Sequence, residues 1–299
     1  MPTPIDITIL GSGSAIPTVK RGHPGILLHR AGDYFLMDCG EGTQLALEKA
    51  GVSPVRLNKI FITHWHADHF AGLLPLLETM HLNKRELPLE IYGPDASRFV
   101  EDILDLSYWS IGFKIVAKDC GRDKYEKLFE TPEYEMWAIK TKHSVPSCGF
   151  GLVEKSHWHI DKKKLKKFGL EPGPILHRIK EKGSVIAKSK TVRLSQIASY
   201  IHGRKIVYSG DTVAYKPLFS FAKGADILMH DSTFIEPAPR NAHPSAQQVA
   251  RLAKQYNVKK LVLVHLSRRY KTSGEILRVV KPIFKQTVLS HDGMKITLR

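Results

Sequence analysis

A layered α/β fold follows from three features of the sequence. Apolar, β-branched runs alternate with helical patterns along most of the chain. The late strand-like runs each end in a group able to bind or react, Asp211, Asp231 or His265. A histidine-rich motif lies where a strand pattern gives way to a helix pattern, the position at which α/β proteins gather their sites. In chain order, "IDITIL", "GILLHR", "DYFLMDCG" and "LNKIFIT" read as strands, and "TQLALEKAG" reads as a helix ending at Gly51. "YEMWAIKTK", "KIVYSGD", "ADILMHD" and "KKLVLVHL" are further strand runs. "PSAQQVARLAKQY" and "SGEILRVVKPIF" carry helical spacing between and after them. No repeat of solenoid period is present.

Composition narrows the class. At 299 residues with 42% hydrophobic content, the chain can bury a substantial core, and a single domain over 1–299 is expected. "MPTPIDITIL" runs straight into strand pattern, with no charged-then-apolar leader. No apolar run approaches membrane-spanning length, and the mean hydropathy is −0.20. Three cysteines far apart in sequence argue against a disulfide framework and for a reducing, cytoplasmic setting. The formal charge of +16 favours a polyanionic partner such as nucleic acid.

The motif "FITHWHADHFAGL", residues 61 to 73, holds His64, His66, Asp68 and His69. In extended chain His64 and His66 project to the same side, while Asp68 and His69 curl round at the helix entry toward a second point. Two pairs of donors predict two neighbouring metal ions, each needing ligands from elsewhere. Candidates stand at other strand ends: His143 after "YEMWAIKTK", Asp211 in "YSGDT", and His265 in "LVHLSRRY". His64, His66 and His143 complete one site and Asp68, His69 and His265 the other, with Asp211 able to bridge. Nitrogen and oxygen donors suit Zn²⁺ and also tolerate Mn²⁺ or Fe²⁺. Two such ions about 3.5–4 Å apart serve in-line displacement at phosphorus and lower the pKa of water to about 7.

Residues 155–190 break the alternating pattern. Eleven Lys and Arg face three acids there, which is +8 of the chain's +16. "EPGP" forms a rigid turn between two short amphipathic pieces. The segment reads as an inserted arm that grips phosphates with little sequence preference, through Lys162, Lys163, Lys164, Lys166, Lys167 and Arg178.

These motifs together resemble the ribonuclease Z family, the tRNA 3′-processing endonucleases of the metallo-β-lactamase superfamily. The resemblance rests on HxHxDH with "LGSGSAIPT", "LMDCGEGTQ", "SVPSCGF", "EPGP", "YSGDT", "LMHDSTF" and "HLSRRY", spread over nearly the full length. It implies an αβ/βα four-layer sandwich, two Zn²⁺ per subunit, a homodimer, and a precursor tRNA substrate whose elbow is met by the arm. Carried over position by position, the metal ligands are His64, His66, Asp68, His69, His143, Asp211 and His265. Asp68 also matches the proton acceptor for the attacking water. His243 in "NAHPSAQQVA" matches the donor to the leaving 3′-oxygen, supported by Asp231 of "HDST". In the arm, Gly173 and Pro174 join the basic residues as RNA contacts.

Several positions depart from the family pattern. The "HDST" acid is usually glutamate, so Asp231 is one methylene short. Pro244-Ser245 replaces Ser-Thr after His243. In "PTVKRGH", Val19 and Gly22 stand where lysine and asparagine are expected, in a loop associated with the tRNA 3′ end. His157-Trp158-His159 imitates half a metal site but lacks an acid or further histidine at ligand spacing, and reads as surface and aromatic contact. His230 is expected to order the loop beneath the metals, and Cys148 to be packed. Arg268, Arg269 and Tyr270 are phosphate-contact candidates, and "GSGS" reads as a tight turn. The reading that results is a metal-dependent endoribonuclease removing the 3′ trailer of precursor tRNA. A small-molecule phosphodiesterase or other metallo-hydrolase, and a non-catalytic nucleic-acid-binding protein, are the alternatives.

Overall fold

The computed structural model describes residues 3–106, 108, 110–187, 190–236, 243–270 and 273–299. The strands, in chain order, begin with β1 (Ile5–Gly11), β2 (Gly25–Arg30), β3 (Asp33–Met37), β4 (Lys59–Phe61), β5 (Leu89–Gly93) and β6 (Ile115–Asp119). There follow β7 (Tyr125–Glu130), β8 (Tyr134–Lys140), β9 (Cys148–Glu154), β10 (His157–Ile160), β11 (Ser184–Ala187), β12 (Lys190–Arg193) and β13 (Ala198–Ile201). The last are β14 (Lys205–Tyr208), β15 (Ile227–Asp231), β16 (Leu261–Val264), β17 (Thr287–Leu289) and β18 (Lys295–Leu298). The chain divides into two compact units, one of residues 1–129, 136–152 and 205–299, the other of 130–135 and 153–204.

The first unit is built on two seven-stranded sheets, ordered β18-β1-β2-β3-β4-β5-β6 and β17-β16-β15-β14-β9-β8-β7. Pairing is antiparallel from β18 to β3 and parallel from β3 to β6. It is parallel again from β14 to β17. Alternation along each strand sorts the side chains into layers. Phe35, Phe61 and Tyr92 of the first sheet meet Phe129 and Phe150 of the second, with Phe61 and Phe150 ring centroids 5.2 Å apart. On the outer face, Leu36, Ile60 and Ile91 pack under helices Thr43–Ala50, Leu73–Leu82 and Ala96–Asp105. Val207, Leu228 and Leu261 of the second sheet do the same under helices Lys216–Phe221, Ala246–Gln255 and Ser273–Val280. The order is therefore helix, sheet, sheet, helix, the αβ/βα sandwich.

Local chemistry sets the element ends. The first long helix stops where Gly51 takes φ 74°, and its N–H bonds Glu48 O, as the "KAG" sequence predicts. Ser245 opens helix Ala246–Gln255 with a capping box, its hydroxyl accepting from Gln248 N while Gln248 returns a bond to the Ser245 N–H. The helix expected after the histidine motif is two pieces, Ala67–Phe70 and Leu73–Leu82. The break lets the motif nest against the "DCG" loop after β3. A Cβ on Gly72 would lie 2.2 Å from Gly40 O, and one on Gly40 would lie 2.2 Å from Asp68 O. Glycine is required at both positions.

The second unit carries the basic segment, of which Lys188 and Ser189 lie outside the described residues. Asp161 caps helix Lys162–Lys167 by accepting from the N–H groups of Lys163 and Lys164. Pro174 starts helix Pro174–Lys182, which ends at Gly183. Two-stranded sheets β10-β13 and β11-β12 complete the unit. Its own small core consists of Leu165, Leu170, Ile179, Val192, Leu194, Ile197 and Ala198. Glu154 and Arg204 close its base with a two-pronged ion pair at 2.6 and 2.8 Å. Trp158 meets Tyr200 edge-on at 5.2 Å, so the aromatic between the two arm histidines is a packing residue.

Candidate metal centre

Strand ends deliver the site. β3 leads into Asp38, β4 into Thr63 and His64, β8 toward His143, β14 into Asp211, β15 ends on Asp231, and β16 leads into His265. Three donors converge first: His64 Nε2 is 3.0 Å from His66 Nδ1, and His143 Nε2 is 3.3 Å from the same nitrogen. A second group adjoins it. His69 Nε2 lies 3.5 Å from Asp68 Oδ2 and 3.4 Å from Asp211 Oδ1. His265 Nε2 lies 3.4 Å from Asp68 Oδ2 and 3.1 Å from Asp211 Oδ2. His64 Nε2 stands 4.0 Å from Asp211 Oδ2, so that carboxylate reaches toward both groups.

The spacing fits an ion. Donors bound about 2.0–2.1 Å from a tetrahedral metal stand roughly 3.3 Å from one another. Two buried atoms strengthen the fit: His69 Nε2 and Asp211 Oδ1 have no hydrogen-bond partner, although buried polar atoms are nearly always paired. Metal coordination would satisfy both. Electrostatics agree with a site built for positive charge. Burial and the neighbouring histidines hold the His64 imidazole well below its ordinary pKa, keeping it a neutral donor. Burial opposes ionisation of Asp68 and Asp211, but the surrounding histidines outweigh it and both stay carboxylates. Burial likewise pulls His265 down, yet Asp211, Asp231 and Asp68 raise it to about 10, a measure of how much negative charge the pocket concentrates.

The supporting contacts orient the donors. Asp38, fully buried at φ 58°, faces His69 Nδ1 at 2.7 Å and accepts from Thr63 and Tyr208. Such a carboxylate behind a histidine fixes ring and tautomer. Thr63 also sits 3.1 Å from His64 Nδ1. On the other side Thr233 Oγ1 lies 2.8 Å from His265 Nδ1 and donates to Asp231. His265 itself has φ 57°, a left-handed conformation held by Leu266, whose N–H bonds Ser12 O. Asp38 and Thr233 were not singled out by sequence reading. Asp38 had a usable signal, since it ends a strand run as Asp211 and Asp231 do. Thr233 had none beyond its place in "HDST".

Asp231 and His243 form a separate pair. Asp231 Oδ2 faces His243 Nδ1 at 2.7 Å, so the shorter side chain spans the gap. Both Asp231 oxygens are committed, one to Thr233 and the other to His243 and Thr212 N. This grouping with His265 therefore reads as a held histidine rather than a third ion site. Burial lowers the His243 pKa, and Asp231 and Asp211 outweigh it, raising it above the usual value. His230 is buried against Phe219 and bonds Asp231 O. Cys148 is buried and unpaired as a thiol. The Tyr270 hydroxyl accepts from the Ile235 N–H at 2.8 Å, and Arg269 lies over the Phe234 ring. Lys162, Lys163, Lys164, Lys166, Lys167, Gly173, Pro174 and Arg178 are all exposed on the second unit.

Ribonuclease Z of Methanosarcina acetivorans is 35% identical over 98% of this chain and 97% of its own length. The chain belongs to the ribonuclease Z family. Ribonuclease Z of Archaeoglobus fulgidus is likewise 35% identical, over 97% of this chain and 96% of its own. The crystal structure of human tRNase Z, short form, superposes with a TM-score of 0.71 at 29% identity, covering 97% of this chain and 98% of that one. A metallo-β-lactamase fold protein from Bacillus subtilis, YhfI, gives the same TM-score at 18% identity over 99% of this chain and all of its own, which speaks for the fold. A family model described as anti-Pycsar protein Apyc1 matches residues 5–278, and the chain falls within that family as well. The ribonuclease Z relatives span the whole length, second unit included. With a metallo-β-lactamase fold and two donor groups at ligand spacing, the centre is one for divalent metal.

Proposed function

We propose that the chain is a tRNA 3′-processing endonuclease, a hydrolase that removes the trailer of precursor tRNA and leaves a 3′-hydroxyl. The observation that carries this reading is the pair of adjoining donor groups beside a carboxylate-held histidine, in a chain similar throughout to ribonucleases Z. His64, His66 and His143 would hold one Zn²⁺, and Asp68, His69 and His265 the other, with Asp211 serving both; Mn²⁺ or Fe²⁺ suit the same donors. The bound ions supply charge neutralisation at the phosphodiester and a lowered pKa for water.

The protein groups complete the reaction. Asp68, at the edge of the second group, accepts the proton of the attacking water. His243 donates to the leaving 3′-oxygen, which as an alkoxide cannot depart unprotonated. Asp231 holds His243 through Nδ1 and, by raising its pKa, favours the protonated imidazole, the form that can give its Nε2 proton. The exposed Lys162, Lys163, Lys164, Lys166, Lys167 and Arg178, with the Gly173-Pro174 turn, meet tRNA phosphates away from the scissile bond. A homodimer and a cytoplasmic location complete the reading, the latter supported by the free thiols of Cys39, Cys120 and Cys148. No helix among the described residues is long and apolar enough to cross a membrane.

The test is cleavage of a 3′-extended precursor tRNA by metal-loaded protein, with and without chelator, mapping both new ends. One chelator-sensitive cut at the acceptor 3′ side, with a hydroxyl on the tRNA, is expected. Hydrolysis of a small phosphodiester with the precursor left whole would instead support a small-molecule enzyme.

A further inference from the structure

The three members of the first donor group are not held alike. His64 is fully buried just past β4, and His66 immediately precedes helix Ala67–Phe70. His143 instead sits in the loop between β8 and β9, where Lys142 and Ser144 are exposed and His143 itself is only partly buried. Thr141 and Ser147 pair across the base of that loop, N–H to O at 3.1 Å and hydroxyl to hydroxyl at 2.8 Å. That pair ties the loop to itself. Thr212, fully buried and adjoining Asp211, ties it to the rest of the centre. The Thr212 hydroxyl accepts from the Lys142 N–H at 3.1 Å and donates to Lys142 O at 3.2 Å, gripping both polar groups of the residue before His143. The Val213 N–H adds a bond to Lys142 O at 3.1 Å. On its other side the Thr212 N–H donates to Asp231 Oδ2 at 3.3 Å, the oxygen that faces His243. One side chain and its own amide thus join the loops that follow β8, β14 and β15.

We infer that Thr212 is a positioning residue of the metal centre, its hydroxyl setting the His143 backbone where the imidazole completes the first group with His64 and His66. The inference rests on the two-group metal reading and is independent of which phosphodiester is cut. Threonine suits the task because its β-branch restricts χ1, so the hydroxyl is aimed before the loop meets it. Valine keeps that shape and removes the polar atom. In its presence the Lys142 N–H loses its acceptor, while Lys142 O keeps the Val213 N–H.

The test is Zn²⁺ binding, measured by competition with a chromogenic chelator, with folding followed by circular dichroism. Wild type, Thr212→Val, Thr212→Ser, His143→Ala and the Thr212→Val/His143→Ala double variant are compared. Thr212→Val should weaken one of two bound ions by about 10–100-fold, the usual effect of losing a contact that orients a ligand, and leave the other as in wild type. Thr212→Ser keeps the hydroxyl and should bind both ions nearly as the wild type does. Adding Thr212→Val to His143→Ala should bring no further loss, because the route through His143 is already gone. Should Thr212→Val fail to fold, Thr212→Ala carries the same expectations. Equal weakening of both ions, or losses that add in the double variant, would mean general damage and would overturn the assignment. So would a folded Thr212→Val protein that binds both ions as the wild type does. A wild type whose Zn²⁺ binding is untouched by His143→Ala would instead overturn the ligand reading, and the clamp with it.

Discussion

At the residue scale, the centre depends on one carboxylate with two obligations. Asp68 stands 3.5 Å from His69 and 3.4 Å from His265, and it is the group proposed to take the proton of the attacking water. Asp68→Ala should abolish hydrolysis, by more than about 10³-fold, while circular dichroism and melting show a folded protein. Turnover retained with metal bound would refute its role. His243 makes a finer prediction. A general acid contributes about 10²–10⁴-fold when the leaving group is a poor one. His243→Gln should therefore cost that much on precursor tRNA and far less on a nitrophenyl phosphodiester, whose leaving group needs no proton. Equal losses on both would point to a positioning role. The residues of the two donor groups can be picked out in sequence because spacing and strand ends announce them, and the fold brings them together. Asp38 is less legible, since its purpose appears only once His69 Nδ1 is seen 2.7 Å away.

At the scale of elements, the strands were easier to read than the helix that follows the histidine motif. Period-2 and period-3.6 patterns survive in "LNKIFIT" and "QVARLAKQ", whereas the break at Ala71-Gly72 answers to a close approach by Gly40 that no local pattern encodes. Pairing across strands gives a further prediction. Glu90 of β5 meets Lys59 of β4, Lys118 of β6 at 2.9 Å, and the Tyr92 hydroxyl. Burial raises its pKa, and these partners outweigh it, bringing it from 4.5 to about 2. A carboxylate depressed on folding stabilises the native state above its unfolded pKa and loses that contribution as pH falls through the folded value. Glu90→Gln should thus destabilise by about 1 kcal/mol at neutral pH, in line with a solvent-screened pair. Urea titrations of both proteins should converge as pH drops from 4.5 toward about 2. A gap that persists at the acid end would mean that packing, not charge, was lost.

At the scale of the molecule, the densest basic run and the candidate metal centre occupy different units. The sequence marks a basic run over 155–190, whereas the compact unit that carries it spans 130–135 with 153–204, around a small core that the lysine count conceals. That core dictates how the arm is tested. Removing 161–182 would take Leu165, Leu170 and Ile179 with it, so replacing Lys162, Lys163, Lys164, Lys166 and Lys167 by Gln is the cleaner change. This variant should raise KM for precursor tRNA at least about tenfold and flatten its salt dependence, while a small phosphodiester is hydrolysed as before. Equal losses on both substrates would overturn the arm's role. The two donor groups have a consequence for assembly. The first takes His64 and His66 from the first sheet's strand end and His143 from the second's; the other joins Asp68 and His69 to Asp211 and His265. Neither half of the sandwich holds a full set, so an ion bound there rivets the sheets together and its occupancy reports that they have docked. Metal loading is then linked to the docking of the sheets, and a chain starved of metal gives up one fastening between halves, beside the Phe61–Phe150 contact and the Tyr208–Asp38 bond, as well as its chemistry.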